Sequence, residues 1–137
     1  MNYYIATRLD RVEQHNKVRD FLLERGYELT YDWTHHGSVQ NVSLDRLNEV
    51  AHRDLQGVMD ADFVIVMLPG GFGTHTELGA AIASGKKVFI HTEDHDHFQL
   101  GEKTIAFYHH DLVTHVHCSL DNLDQLADVV DSHFVSV

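Results

Sequence analysis

The chain has 137 residues, the length of one ordinary domain, which is too short for two separate hydrophobic cores. Ten Lys and Arg against 21 Asp and Glu leave a net charge of −11 with histidine neutral. Such a negative chain is not expected to bind polymeric nucleic acid or an anionic lipid surface, because both require clustered cations. A small phosphorylated ligand is not excluded, since one local pocket can oppose the overall charge.

The cysteine content and the apolar runs bear on the compartment. Cys118 is the single cysteine and cannot form an internal disulfide, and the first residues do not read as a signal peptide. The longest apolar run, residues 63–68, is far too short to span a bilayer. We therefore expect a cytoplasmic protein without a membrane partner.

Short apolar runs alternate with amphipathic segments along the chain. Strands are predicted over residues 3–6, 27–31, 62–68, 86–91 and 112–117, and helices over residues 11–25, 43–59, 74–84 and 119–134. The alternation predicts one domain over residues 1–137, a three-layer α/β/α fold with a flavodoxin- or Rossmann-like five-stranded parallel sheet. Ligands bind such sheets at the carboxyl ends of the strands.

A glycine-rich turn, Pro69-Gly70-Gly71-Phe72-Gly73-Thr74, follows the most apolar strand and opens a helix. Glycines permit close approach of the backbone, and successive N–H groups at a helix N-terminus can hold an anion. The turn matches neither the dinucleotide fingerprint nor a Walker A loop. A tight connection with no ligand is the alternative interpretation.

Two carboxylates are predicted near this turn. Glu77 is expected in the first turn of its helix, where the helix dipole favours the ionised form. Asp54 borders the apolar face of the preceding helix, for which Ser43 is a suitable N-cap. Two carboxylates from different elements in one crevice suit glycosidic chemistry, in which one attacks or stabilises an oxocarbenium-like centre and the other handles protons.

These residues resemble the nucleoside 2-deoxyribosyltransferase superfamily. The resemblance is carried by Asp54-Leu55, the apolar strand, and Glu77-Leu78-Gly79 with Ala81, and it covers most of the chain. It implies a flavodoxin-like sheet, a homodimer or larger homo-oligomer, and cleavage of the N-glycosidic bond of nucleosides or nucleoside monophosphates, with no cofactor. Some members of the superfamily transfer the sugar to another base, and others hydrolyse.

The resemblance also implies roles for single residues. Glu77 matches the nucleophile at C1′, and Asp54 matches its partner carboxylate. Tyr3 matches the tyrosine that orients the nucleophile, with Tyr4 as the alternative one residue on.

The sequence departs from the transferases of the superfamily at one position. They carry an aspartate six residues before the glutamate, where this chain has Gly71. The Pro-Gly-Gly-x-Gly-Thr string is instead similar to the phosphate-binding loop of lysine-decarboxylase-like phosphoribohydrolases. This similarity favours hydrolysis and a 5′-monophosphate, for which the candidate binding residues are Thr7, Arg8, Gly70, Gly71, Gly73 and Thr74.

Aromatic and histidine side chains complete the candidates. Trp33 follows the second strand and is predicted to stack on a base or to pack under a loop. His75, between the glycine turn and Glu77, is a candidate substrate contact. The chain has 13 histidines, but none forms a zinc or metalloprotease pattern, so no metal site is predicted.

We therefore expect an enzyme that cleaves the N-glycosidic bond of a nucleoside 5′-monophosphate or nucleoside, with hydrolysis favoured. The alternatives are deoxyribosyl transfer between bases, a non-catalytic module that binds or senses a nucleotide, and a metal-responsive protein.

Overall fold

The computed structural model describes residues 1–134. Residues 135–137 of the predicted domain lie outside the described residues. The strands are β1 (Asn2–Ala6), β2 (Glu28–Leu29), β3 (Phe63–Met67), β4 (Lys87–Thr92) and β5 (Val113–His117). The helices are α1 (Val12–Glu24), α2 (Leu44–Asp60), α3 (Phe72–Ala83) and α4 (Asp124–Phe134).

All five strands are parallel, in the order β2-β1-β3-β4-β5. This is the flavodoxin-like order, so the predicted three-layer fold is confirmed. The order reverses next to β1, and this switch point is where a ligand site is expected at the carboxyl ends of β1 and β3. Among residues 1–134, no helix is both long enough and apolar enough to cross a bilayer.

The two faces of the sheet carry separate cores. One core packs β1 and β3 against α1 and α4, through residues that include Val18 and Leu126. The other packs the opposite face of the same strands against α2 and α3, through residues that include Val58 and Leu78. Both faces of the central strands are covered, which accounts for the uninterrupted apolar sequence of β3.

Alternation along β1 decides which tyrosine faces which core. Successive side chains of a strand point to opposite faces. Tyr3 accordingly packs in the core beside α1 and α4, and Tyr4 packs in the core beside α2 and α3. The second tyrosine of the pair therefore lies on the side of the sheet that carries the predicted carboxylates.

The predicted elements differ from the observed ones in extent, and helix α4 differs most, since it begins at Asp124 rather than at residue 119. Helix α3 begins at Phe72 rather than Thr74, because Gly71 occupies the N-cap position and its N–H donates to Thr74 Oγ1 over 3.0 Å. Strand β2 is two residues long, because only Glu28 and Leu29 pair with β1. The predicted N-cap of α2 is confirmed, since Ser43 Oγ accepts a hydrogen bond from the Arg46 N–H.

Helix α2 crosses the sheet closely at Gly57. A Cβ atom at this position would lie 2.8 Å from Tyr4 Cδ2 and 2.9 Å from Tyr31 Cβ. Only glycine permits this distance, so Gly57 sets the depth at which α2 covers the Tyr4 ring.

We predict that Gly57→Ala lowers the free energy of unfolding by about 1–3 kcal/mol, because the added methyl group overpacks the core. Gly79→Ala in α3 is the matched control, since a Cβ there meets no atom within 4 Å. This control should be neutral or stabilising by up to about 1 kcal/mol. Urea unfolding of both variants measures the difference, and equal stabilities would contradict the close approach.

Candidate active site

A cavity of about 850 Å³ opens at the carboxyl ends of β1 and β3. Its walls come from the segment after β1, the loop before α2, one face of α2, and the first turns of α3. The lining residues include Thr7, Arg8, Asp10, Trp33, His36, Leu47, Val50, Asp54, Gly71, Phe72, Gly73, Thr74 and Glu77. The cavity brings together most of the candidate site residues, whereas Tyr3, Gly70 and His75 are absent from its lining.

Glu77 lies in the cavity wall and is almost fully buried, with 8% of its surface exposed. Its Oε2 atom accepts a hydrogen bond of 2.6 Å from the hydroxyl of Tyr4. Tyr4 itself is completely buried. The carboxyl group is therefore fixed by a donor that approaches from the core, and its remaining surface faces the cavity.

The contact expected of Tyr3 is made by Tyr4. Tyr3 lies in the opposite core, where its ring stacks on Phe63 with the centroids 5.4 Å apart. Its hydroxyl is buried and has no hydrogen-bond partner among residues 1–134. A shift of one residue moves a strand side chain to the other face of the sheet, which is the physical reason for this correction.

Burial raises the pKa of Glu77 to about 8. The hydrogen bond from Tyr4 lowers this pKa, and the nearby Asp54 carboxyl raises it. The expectation that Glu77 lies in the first turn of its helix is wrong, because α3 begins at Phe72 and places Glu77 in the second turn, where the helix dipole favours the ionised form less. Desolvation dominates there and favours the neutral acid.

Asp54 lies on the cavity side of α2. Burial raises the pKa of Asp54, and the neighbouring His36 opposes this shift. His36 Nε2 lies 3.6 Å from Asp54 Oδ1. His36 comes from the polar loop before α2, and no spacing in the sequence distinguishes it from the other histidines.

The glycine turn divides between two sides of α3. Gly71, Gly73 and Thr74 line the cavity that contains Glu77. Gly70 and His75 instead line a neighbouring groove, together with Gly71, Phe72 and Thr76. The His75 ring bonds to the Gly71 carbonyl and to the Tyr108 hydroxyl, so in this structure its contacts are made within the protein rather than with the cavity.

Thr7 and Arg8 follow β1 and both line the cavity. The Thr7 hydroxyl donates to the Met67 carbonyl over 2.9 Å, which joins the ends of β1 and β3. The Arg8 guanidinium forms two hydrogen bonds with Asp10, of 2.9 and 3.0 Å. Arg8 therefore has an acidic partner beside the cavity, which no pattern in the sequence predicts.

Two aromatic residues occupy the wall and the mouth of the cavity. Trp33 is only 4% exposed, and its Nε1–H donates to the Ile5 carbonyl over 2.8 Å. Its ring therefore offers little surface for stacking on a base. Phe72 is 98% exposed at the N-terminus of α3 and is the aromatic ring accessible to a ligand.

The remaining histidines do not assemble into a site. Among residues 1–134, no group of three or more His, Cys, Asp or Glu side chains has an arrangement that could hold a metal ion. Most have protein partners instead; His91, for example, bonds to the Cys118 carbonyl and His115 to the Tyr108 carbonyl.

A flavodoxin-like sheet that brings two carboxyl groups into one cavity suits an enzyme that cleaves or transfers glycosyl groups. The sequence profile of the nucleoside 2-deoxyribosyltransferase family matches residues 3–127, so the chain belongs to this family. The resemblance seen in the sequence is confirmed, and with it an enzyme of glycosyl transfer or cleavage.

Among solved structures, the chain is similar to the CMP N-glycosidase BcmB from Clostridium botulinum. The TM-score is 0.60 at 19% sequence identity, and the match covers 94% of this chain and 99% of that chain. At this identity the similarity establishes the shared fold. No curated protein sequence matches the chain.

We predict that Glu77→Gln stabilises the protein by about 3 kcal/mol at pH 7, because the wild-type carboxyl must take up a proton on folding at this pH, whereas the amide is already neutral. The unfolded chain loses this proton near the ordinary Glu pKa, whereas the folded protein keeps it up to about pH 8. Wild-type stability should therefore fall as pH rises between these two values.

Thermal unfolding across this pH range measures the effect, with the exposed Glu24→Gln as the matched control. Parallel curves for the wild type and Glu77→Gln would contradict the raised pKa.

Proposed function

We propose that the protein hydrolyses the N-glycosidic bond of a nucleoside or a nucleoside 5′-monophosphate. The observation that carries the proposal is the buried Glu77 carboxyl, oriented by Tyr4 in a cavity that also contains Asp54. The family of the chain supports glycosyl chemistry in general. The family also supports a nucleoside or nucleotide as the substrate, whereas water as the acceptor is inferred from the residues of the cavity.

Glu77 acts on the anomeric carbon in this proposal. As the C1′–N bond breaks, positive charge develops on the sugar, and an ionised Glu77 attacks C1′ or stabilises that charge. The Tyr4 hydroxyl donates to the carboxylate and holds one oxygen in place, which leaves the other available to the sugar. Burial of Glu77 favours the neutral acid, and the developing cation favours its ionisation.

Asp54 acts as the general acid that protonates the leaving base in the same proposal. The leaving base carries away the electron pair of the broken bond and needs a proton, which a carboxyl of raised pKa can supply. Water then takes the place of the base at C1′ and gives up a proton in turn. Glu77 and Asp54 come from α3 and α2, so the close packing of these helices on β1 and β3 brings the two groups together.

Gly71 supports hydrolysis over base exchange. The residue lines the cavity and has no side chain to contact a nucleobase. A Cβ atom at this position would lie 3.2 Å from Arg8 Cγ, so the space beside it is already occupied. The cavity therefore lacks a carboxylate here that could bind an incoming base and accept its proton.

The first turn of α3 supports a ligand with a polar 5′ end. The N–H groups of Phe72, Gly73 and Thr74 have no partners within the helix, and these residues line the cavity beside Arg8. Backbone N–H groups of this kind can donate to the oxygen of either a 5′-hydroxyl or a 5′-phosphate. The test therefore includes both kinds of substrate.

Incubation with a panel of nucleosides and their 5′-monophosphates tests the proposal, with released base measured by chromatography. We predict base release by the wild type and a loss of at least about 10³-fold in Glu77→Gln, because the amide cannot ionise. Glu24→Gln is the control and should retain full activity.

Three outcomes would contradict the proposal. Unchanged release by Glu77→Gln excludes the role of Glu77. Formation of a new nucleoside when a second base is added shows transfer instead of hydrolysis. A bound nucleotide that stays intact after long incubation shows a binding module.

We predict that kcat/KM for base release rises about tenfold per pH unit as the pH increases toward 8, because the reaction needs the ionised form of Glu77. Tyr4→Phe removes the donor that favours this form, so the rise should move to higher pH by about one unit. Tyr3→Phe is the matched control, since its hydroxyl has no partner among residues 1–134. An identical pH profile for Tyr4→Phe and Tyr3→Phe would contradict the role of Tyr4.

A further inference from the structure

His36 belongs to the loop before α2, but its side chain is buried and held next to Asp54. Its side chain is 7% exposed and lines the cavity. The Tyr31 ring stacks on the imidazole, with the ring centroids 6.1 Å apart and the planes 22° from parallel. The ring is therefore held in one orientation with one edge toward α2.

The two ring nitrogens of His36 have different surroundings. Nδ1 lies 3.0 Å from the Gly37 carbonyl oxygen, which can only accept a hydrogen bond, so Nδ1 carries a proton. Nε2 faces Asp54 Oδ1 at 3.6 Å. Both of these atoms are buried, and neither has a hydrogen-bond partner among residues 1–134.

A neutral imidazole with its proton on Nδ1 presents a lone pair at Nε2. An ionised Asp54 would present a second lone pair to it, and two facing buried acceptors are unfavourable. One proton between them removes the conflict, whether it is bonded to Oδ1 or to Nε2. A small movement from 3.6 Å into hydrogen-bond distance then satisfies both atoms.

We propose that His36 and Asp54 share one proton between Nε2 and Oδ1, and that this proton is delivered through Asp54 to the departing nucleobase. His36 is a positioning residue that acts through Asp54. The inference rests on the proposed function, since it specifies where the proton for the leaving base is held.

The His36–Asp54 pair regains its proton by the end of each catalytic cycle. The C1′–N bond breaks with its electron pair on the base, and the shared proton passes from Asp54 to a base nitrogen. Water then forms the new C1′–O bond and releases one proton, which returns to the His36–Asp54 pair. The products are the free base and the sugar, and no other reactant is consumed.

Other titratable groups surround the pair and contribute to its pH response. Tyr31 stacks on His36, and Glu77 with Tyr4 lies on the Asp54 side and raises the cost of a second negative charge there. Arg8 and Asp10 line the same cavity and are bonded to each other. The pH dependence of activity therefore reflects the ionisation of several groups. A comparison of leaving groups that do and do not need a proton tests the His36–Asp54 pair more specifically.

The test compares a nucleoside that the wild type cleaves with the 4-nitrophenyl glycoside of the same sugar, whose phenolate leaves without a proton. We expect His36→Gln to slow release from the nucleoside about 10²-fold and from the nitrophenyl glycoside by only a few fold. Glutamine can donate to Asp54 and keep it in place, but it cannot hold a transferable proton. Asp54→Asn should show the same selectivity, and the double variant should be no slower than Asp54→Asn alone.

Equal slowing of both substrates, or full nucleoside activity in His36→Gln, would overturn the inference, because either result shows a structural role. A second measurement does not depend on activity. The imidazole nitrogen resonances of His36, assigned by their loss in His36→Gln, should shift when Asp54 is changed to Asn. Unchanged resonances would overturn the shared proton even if no nucleoside is cleaved, whereas absence of cleavage with shifted resonances would count against the proposed function only.

Discussion

The hydrogen bond between the Tyr4 hydroxyl and Glu77 is the interaction on which the site depends. It joins Tyr4, which is buried in the core between the sheet and helices α2 and α3, to Glu77 in the cavity wall. Burial favours the neutral carboxyl, and the tyrosine donor favours the ionised one, so the balance places the pKa of Glu77 at about 8. The protein thereby keeps a reactive carboxyl buried and oriented, at a cost in stability near neutral pH.

Glycines at two positions allow the helices to pack closely around this hydrogen bond. Gly57 lets α2 approach the Tyr4 ring, and Gly71 lets the turn before α3 pass beside Arg8. The two helices then present Asp54 and Glu77 to one cavity at the switch point of the sheet. The chemistry is set by side chains that a common fold brings to one edge, which is how α/β folds of this kind acquire different activities.

Much of this arrangement is predictable from the sequence, and the failures have physical reasons. The apolar run of residues 63–68 and the amphipathic segments around it predict the sheet and its helices, and the places of Asp54 and Glu77 on two neighbouring helices predict a shared crevice. The choice between Tyr3 and Tyr4 depends on which face of β1 meets α3, and a pattern of two adjacent tyrosines does not decide it. The Arg8–Asp10 pair and the His36–Asp54 contact depend on loop conformation, which leaves no periodic signal in the sequence.

Glu77 is a buried carboxyl whose pKa is raised by desolvation and lowered again by the hydrogen bond from Tyr4. Carbon-13 NMR of the Glu77 side-chain carboxyl, assigned with Glu77→Gln and followed across a pH titration of the free protein, measures this property directly. The titration midpoint is expected near pH 8 in the wild type and at a higher pH in Tyr4→Phe. A midpoint near the ordinary value for glutamate, or one that Tyr4→Phe leaves unchanged, would contradict this expectation.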